Sequence, residues 1–175
     1  MAITLQPITD KENSILNIIY EHYTVAFPPA ERRSEEQFYD LVSHYKANIN
    51  TIWLNDDIVG YIVTWNLNDA TFIEHFEIFP ENRGKKIGEK VLDFLIKNNQ
   101  LVLLETEPIH YGEMASRRIK FYERNGFKVI DQNHVQPAYE RGKDSLTLFL
   151  MASRFIENLE DIKKELYKTV YERLV

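Results

Sequence analysis

Hydrophobic positions along this chain switch repeatedly between a two-residue spacing suited to strands and a helical spacing of three to four. Ile3 to Pro7 reads as a short strand. Thr9 followed by Glu12 has the form of a capping box and opens a helix to about Tyr23, with Ile15, Ile18, Ile19 and His22 on one face. Phe27-Pro28-Pro29-Ala30 breaks that helix. Ser34 with Gln37 is a second capping box, opening a helix to about Tyr45. Ile49 to Leu54 and Ile58 to Leu67 read as a hairpin around Asn55-Asp56-Asp57. Asn68-Asp69 then turns the chain into a strand from Thr71 to Phe79, which ends at Pro80.

A strongly helical run covers Glu89 to Asn98. Leu101 to Leu104 is wholly apolar, the mark of a short strand buried on both faces of a sheet. Glu113 to Asn125 is helical, and Gly126 sits where a C-terminal cap belongs. Phe127 to Ile130 and Leu146 to Met151 read as strands around a polar loop from Gln136 to Asp144. The last helix, about Arg154 to Leu174, carries Phe155, Leu159, Ile162, Leu166 and Val170 on one face. That face is expected to pack onto the body of the domain, with a homodimer contact as the second reading. Strands and helices in this order predict a mixed α/β (α+β) fold in three layers.

Composition narrows the function classes. A chain of 175 residues has room for one real core, so residues 1–175 are read as a single domain. A net charge of −6 argues against nucleic-acid binding, which needs a broad positive footprint. No apolar run is long enough to span a bilayer and no N-terminal signal pattern is seen, so no membrane partner and a cytoplasmic location are expected. The chain has no cysteine, which removes disulfides, thiolate nucleophiles and cysteine zinc sites. No second histidine stands at ligand spacing from His75, so no metal is expected.

The most informative stretch is Arg83-Gly84-Lys85-Lys86-Ile87-Gly88, between the Thr71–Phe79 strand and the helix that follows. The first N–H groups of a helix have no internal partners, and its dipole is positive at that end. Two glycines let backbone approach a ligand closely, and three cations add charge. The stretch through Glu89 is therefore an anion cradle suited to a phosphate or pyrophosphate. It is neither a Walker A loop nor a dinucleotide fingerprint.

The strand before it carries two acids. Alternation places Glu74 with Phe72, Phe76 and Ile78, and His75 and Glu77 with Ile73 and Phe79. A carboxylate buried in such a strand has its pKa raised toward the range of a useful base, and Glu74 is the preferred candidate. Glu105 and Glu107 follow the Leu101–Leu104 strand, where ligand crevices open in α/β sheets. They read equally as holders of a cationic substrate and as a solvated strand end. A second motif, Phe121-Tyr122-Glu123-Arg124-Asn125-Gly126-Phe127, runs from helix into strand.

Together the two motifs resemble the GNAT superfamily of N-acetyltransferases over about Thr71 to Phe127. In that family a strand ending in Pro precedes R-x-x-G-x-G, whose backbone amides bind the pyrophosphate of acetyl-CoA. Further on, a helix ends in F-Y-E-x-x-G-F. This chain has Arg83, Gly84 and Gly88 in the first pattern and the whole of the second. Lys86 stands where the family has its first glycine, which a side chain tolerates at negative φ. Ala115 and Arg118 stand where the family often has Asn and Ala. Phe27 to Arg32 is similar to the acceptor-lining loop of many relatives.

The resemblance implies a mostly antiparallel sheet with one splayed parallel strand pair. It implies direct transfer of acetyl from acetyl-CoA to a primary amine of a small-molecule or peptide acceptor. Arg83, Gly84, Lys85, Lys86, Ile87, Gly88 and Glu89 are then the pyrophosphate site. The backbone of Glu77, Ile78 and Phe79 pairs with pantetheine like an added strand. Glu74 is the base, with Glu105 second, and Tyr122 protonates the leaving thiolate. A backbone N–H near Ile78 or Phe79 faces the polarised carbonyl. A non-catalytic acyl-CoA-binding regulatory domain and a transferase of another acyl group remain the alternatives.

Overall fold

A computed structural model of the chain describes residues 3–99 and 101–171. Seven strands form one sheet: β1 (Ile3–Pro7), β2 (Ala47–Leu54), β3 (Asp57–Asn66), β4 (Thr71–Ile78), β5 (Val102–Thr106), β6 (Lys128–Gln136) and β7 (Leu146–Ala152). Their spatial order is β1-β2-β3-β4-β5-β7-β6. Neighbours are antiparallel except β4 and β5, which run parallel and pair only between Thr71–Ile73 and Val102–Leu104. Past that short register the two strands part. This is the splayed pair that the family resemblance implied, and it opens the middle of the sheet.

Helices cover both faces. Against one face lie α1 (Ser14–Ala26), α2 (Glu35–Asp40) and α5 (Leu159–Leu166), the last running on as a single π turn, Tyr167–Tyr171. Leu16, Ile19, Tyr23, Phe38, Leu166 and Val170 pack there on Phe72, Tyr61 and Leu103 of the sheet. Against the other face lie α3 (Ile87–Asn98) and α4 (Glu113–Arg124). Ile87, Val91, Leu92, Leu95 and Ile119 meet Ile62, Ile73 and Leu104 there. Two apolar sheet faces, each needing cover, produce the three layers.

Several local expectations change. The first helix is capped by Asn13, whose Oδ1 accepts from the Ile15 N–H at 3.0 Å, and not by Thr9. Ile18 on the expected apolar face is exposed, whereas Leu16 and Tyr23 are buried. The Ser34–Gln37 capping box forms in full, but the α-helix behind it ends at Asp40 and tightens into a 3-10 turn. β6 runs six residues past Ile130, because irregularities at Ile130 and at 132–133 interrupt its pairing without ending it. The final helix begins at Leu159, and Phe155 stays 88% exposed outside it. Leu159, Ile162, Leu166 and Val170 do pack on the domain, while 172–174 lie outside the described residues.

The most consequential change is in β4. The register with β3 pairs Val63 with His75 and Thr64 with Ile73, so Glu74 is an extra, bulged residue. Alternation therefore breaks there. Glu74 shares a face with His75, Glu77 and Phe79, while Phe76 and Ile78 turn to the α3–α4 side with Ile73.

Candidate functional site

Where β4 and β5 part, a cleft of about 640 Å³ crosses the sheet. One end reaches Arg83, Gly84, Lys86, Ile87, Gly88 and Glu89. The chain enters α3 through Gly84 at φ +78° and Lys86 at φ +58°, both left-handed. The sequence expectation of a negative φ at Lys86 is thus corrected. A side chain there is strained, costing about 1–2 kcal/mol. The pair of positive-φ residues flanking Lys85 forms the kind of concave backbone nest that collects anions. Among the described residues no side chain caps α3, and a helix leaves the N–H groups before its first internal bond, here from Lys90 to Lys86, without intrahelical partners. A Cβ on Gly88 would come within 3.0 Å of the Phe121 ring, so this position keeps α3 against α4.

Lys85 is turned aside, its Nζ donating to Asn82 Oδ1 at 2.8 Å. Arg83 reaches back to β4: Nε donates to the Ile78 carbonyl at 3.0 Å, and its guanidinium lies 3.6 Å from Glu77. The backbone expectation for β4 also divides. The Phe79 N–H donates to Val59 O at 2.9 Å and is not free for a carbonyl. Glu77, two residues away and paired with Tyr61, has the same phase toward β3. Phe76 and Ile78 have the opposite phase, toward the gap that β5 leaves. The Phe79 ring is buried and stacked on His22 at 3.8 Å, so of the three residues Ile78 offers backbone to the cleft.

Tyr122 lines the middle of the cleft from α4. Burial raises its pKa, with the Arg118 charge opposing, so the phenol keeps its proton at neutral pH. Arg118 itself is bound to Glu107 at 2.8 Å.

Glu74 lies on the opposite wall, and here the expectation of a raised pKa is corrected. Its Oε1 accepts from Arg33 Nε at 2.8 Å and Tyr139 OH at 2.9 Å, and its Oε2 accepts from Trp65 Nε1 at 2.6 Å. Burial by itself would raise the pKa. Arg33 and the other donors overcome it, and the carboxyl is held below its ordinary value. A carboxylate held in its charged form by a buried arginine is a poor proton acceptor.

Glu105 is held more lightly. Oε1 faces His134 Nε2 at 2.5 Å and Oε2 accepts from Tyr171 OH at 2.7 Å. Each oxygen keeps acceptor capacity. The π turn is what brings Tyr171 to this spot. Nearby, burial followed by the Glu107 charge raises the pKa of Glu31. Glu31, Glu105 and Glu107 thus stand on the cleft walls together with Arg118, the ion-pair partner of Glu107.

The profile of the acetyltransferase (GNAT) domain matches residues 46–129, the span from β2 to the start of β6. A GNAT-family protein from Bacteroides thetaiotaomicron is 30% identical, superposes with a TM-score of 0.88, and is matched over 96% of this chain and 98% of its own. The chain belongs to the GNAT family of acetyltransferases. YjbC of Bacillus subtilis (strain 168), by name a candidate acetyltransferase, is 27% identical over 111 residues. That alignment covers 62% of this chain and 56% of YjbC, so it spans little more than half of that relative. A GNAT acetyltransferase from Elizabethkingia anophelis, solved with acetyl-CoA bound, shares the fold at TM-score 0.59. It is 17% identical, over 87% of this chain and 98% of its own.

The GNAT cleft of this protein also contains residues that the motifs did not reveal. His75 Nε2 lies 2.9 Å from the Glu31 carbonyl, which can only accept, so Nε2 carries the hydrogen and Nδ1 is left as a lone pair. Among the described residues Nδ1 has no hydrogen-bond partner, and neither do the buried Thr106 Oγ1 and Gln136 Nε2. Arg33 and Tyr139, the keepers of Glu74, sit far from both motifs in sequence. A buried arginine beside one buried acid is the only signal that could have linked them, and composition does not show burial.

Proposed function

We propose that this GNAT protein transfers an acetyl group from acetyl-CoA to a primary amine by direct attack. The observation that carries this reading is the continuity of one cleft, from the open backbone donors of α3, past Tyr122, to the acids Glu31, Glu105 and Glu107. The residues present suit such a cosubstrate. Uncapped N–H groups and the nest at Gly84–Lys86 hold a pyrophosphate, with Arg83 and Lys86 adding charge. The gap-facing backbone of Phe76 and Ile78 offers strand-like pairing to a pantetheine amide once Arg83 releases the Ile78 carbonyl.

Acetyl-CoA supplies the activated acyl thioester. Protein groups then manage protons. An amine enters as its ammonium form and must lose a proton before it attacks. Glu105 takes that role here in preference to Glu74, because Glu74 is ion-paired with the buried Arg33 and held below its ordinary pKa. As the C–N bond forms and the C–S bond breaks, Tyr122 delivers its proton to the departing sulfur, and the second proton shed by the new amide nitrogen restores the phenol. The gap-facing N–H at Ile78 takes the place of the Phe79 N–H as the donor to the carbonyl oxygen.

Mixing protein, acetyl-CoA and a panel of primary amines, with free thiol as the readout, tests this directly. Thiol release that needs both protein and amine is expected. Acetyl-CoA is also expected to raise the melting temperature of the wild type, and to lose that effect in Gly88→Asp. An unshifted wild-type melt, or thiol release indifferent to amine, overturns the reading.

A further inference from the structure

Glu105 lines the cleft from β5 with a side chain that is 7% exposed. Behind it lie His134 of β6 and Tyr171 of the π turn, both fully buried. His134 Nε2 meets Oε1 at 2.5 Å, and the Tyr171 hydroxyl donates to Oε2 at 2.7 Å. One carboxylate is thus held at both oxygens by two elements distant in sequence. Resting on the reading of Glu105 as the base, we propose that His134 and Tyr171 are its positioning residues, and that the π turn after α5 sets them in place.

π turns are rare, and they gather at functional sites. This one, Tyr167–Tyr171, holds three contacts around Glu105 and Glu74. The Tyr167 ring lies parallel to His134, with 2° between planes and 5.6 Å between centroids, and its hydroxyl donates to Val135 O at 2.8 Å. Val170 O accepts from Arg33, the partner of Glu74, at 3.1 Å. Tyr171 supplies the hydroxyl on Glu105. Tyr167 therefore braces the imidazole plane, while Tyr171 fixes the second oxygen. His134, Tyr167 and Tyr171 all lie outside residues 46–129, the span that the GNAT profile matches.

The clamp suits a proton acceptor. When Glu105 is ionised it only accepts, so His134 Nε2 carries the hydrogen between them. Burial, followed by the Glu105 charge, raises the Tyr171 pKa far above its ordinary value, so the phenol stays a donor. Each carboxylate oxygen keeps a lone pair, and a proton taken from the amine fills one without displacing either partner. Glu74 is the contrast, because a guanidinium of permanent charge opposes its protonation. An imidazole and a phenol fix Glu105 without that charge. Orientation matters here, since misplacing a reacting group by about 1 Å costs up to about 10²-fold in rate.

The test is the acid limb of kcat against pH, which reports groups in the enzyme–substrate complex. The titratable groups facing Glu105 are His134, Tyr171, Tyr167, Tyr139 and His75. Thiol release is followed with acetyl-CoA and benzylamine, 2-aminoethanol or spermidine, comparing wild type and variants on the same amine. Loss of a donor disfavours the ionised carboxylate. Tyr171→Phe and His134→Leu should each move the limb up by about one pH unit, the worth of one hydrogen bond to a charged group. kcat should fall roughly tenfold, with acetyl-CoA affinity unchanged in thermal shift. His134→Gln replaces the ring N–H with an amide N–H and should return the limb toward wild type. Urea melts at each pH give the folded fraction, so instability does not pass for a shifted limb. Glu105→Gln separates the outcomes. If it abolishes turnover while Tyr171→Phe and His134→Leu keep the wild-type limb, the inference is overturned and Glu105 remains the base. Turnover that survives Glu105→Gln removes the base and the inference with it. No thiol release from wild type with every amine removes acetyl transfer itself.

Discussion

Arg33 and Glu74 meet at 2.8 Å with side chains only 4% and 1% exposed, joining the loop after α1 to the bulge of β4. Arg33 lies between the rings of Trp65 and Tyr139, 5.3 and 5.1 Å from their centroids, and donates to Val170 O at 3.1 Å. The pair thus fastens the acceptor-side loop, the central strand and the C-terminal helix at one point. Charges this deeply buried are tolerable only when fully paired.

Glu74→Gln separates a structural role from a catalytic one. It leaves Arg33 charged and buried without its counter-ion, a change that typically costs about 3–5 kcal/mol. Denaturant melts should show a loss of that order, while turnover per folded molecule stays within a few fold. A stable variant without turnover would return Glu74 to the role of base.

Tyr122→Phe removes one oxygen from a buried ring and little else. Because the phenol holds its proton at neutral pH, its loss should lower kcat roughly 10²-fold, the lower end of the range for general acids. The dissociation constant for acetyl-CoA should stay unchanged. An unaltered kcat would remove Tyr122 as the acid.

The elements that bear on this chemistry were unequally legible in the sequence. The cradle and the Phe121–Phe127 motif are local, so spacing alone placed them on the right turn and helix. The parting of β4 from β5 followed from the family resemblance. Glu74 was placed correctly in the cleft but with the wrong neighbours, since one bulged residue reverses alternation and leaves no mark in a hydrophobic pattern. Arg33, His134, Tyr139 and Tyr171 were missed because their partners lie 29 to 66 residues away. Long-range pairing of buried polar groups is set by tertiary packing, which periodicity does not encode.

Lys86→Gly tests whether the cradle stores strain. The left-handed conformation costs a lysine about 1–2 kcal/mol, and glycine returns about 0.5–1 kcal/mol of that as extra freedom in the unfolded chain. A net gain near 0.5–1 kcal/mol is expected, raising the melting temperature by about 1–4 °C in a chain of this size. A fall in melting temperature would mean that the lysine side chain stabilises more than its backbone strains.

Acid should weaken the fold through His75. The ring packs edge-on to Tyr23 and Phe27 and near Tyr139, with Glu74, Arg33 and Glu105 as the charged groups around it. Burial depresses its pKa, and the Glu74 charge offsets this only in part. A depressed folded pKa gives stability that is complete above the unfolded value of about 6.5 and declines as pH falls toward the folded value. Over that window the unfolded chain binds a proton that the native ring refuses, so stability falls by up to about 1.4 kcal/mol per pH unit. Glu74, held low by Arg33, adds a second loss below about pH 4.3, while Glu31, raised, contributes the opposite slope in the acid range. Urea melts of wild type and His75→Gln at pH 7, 6 and 5 isolate the histidine. Wild type should lose stability across this range, and the variant should lose less, by the slope of one proton. Parallel curves would mean that His75 titrates alike in both states and that its burial carries no electrostatic penalty.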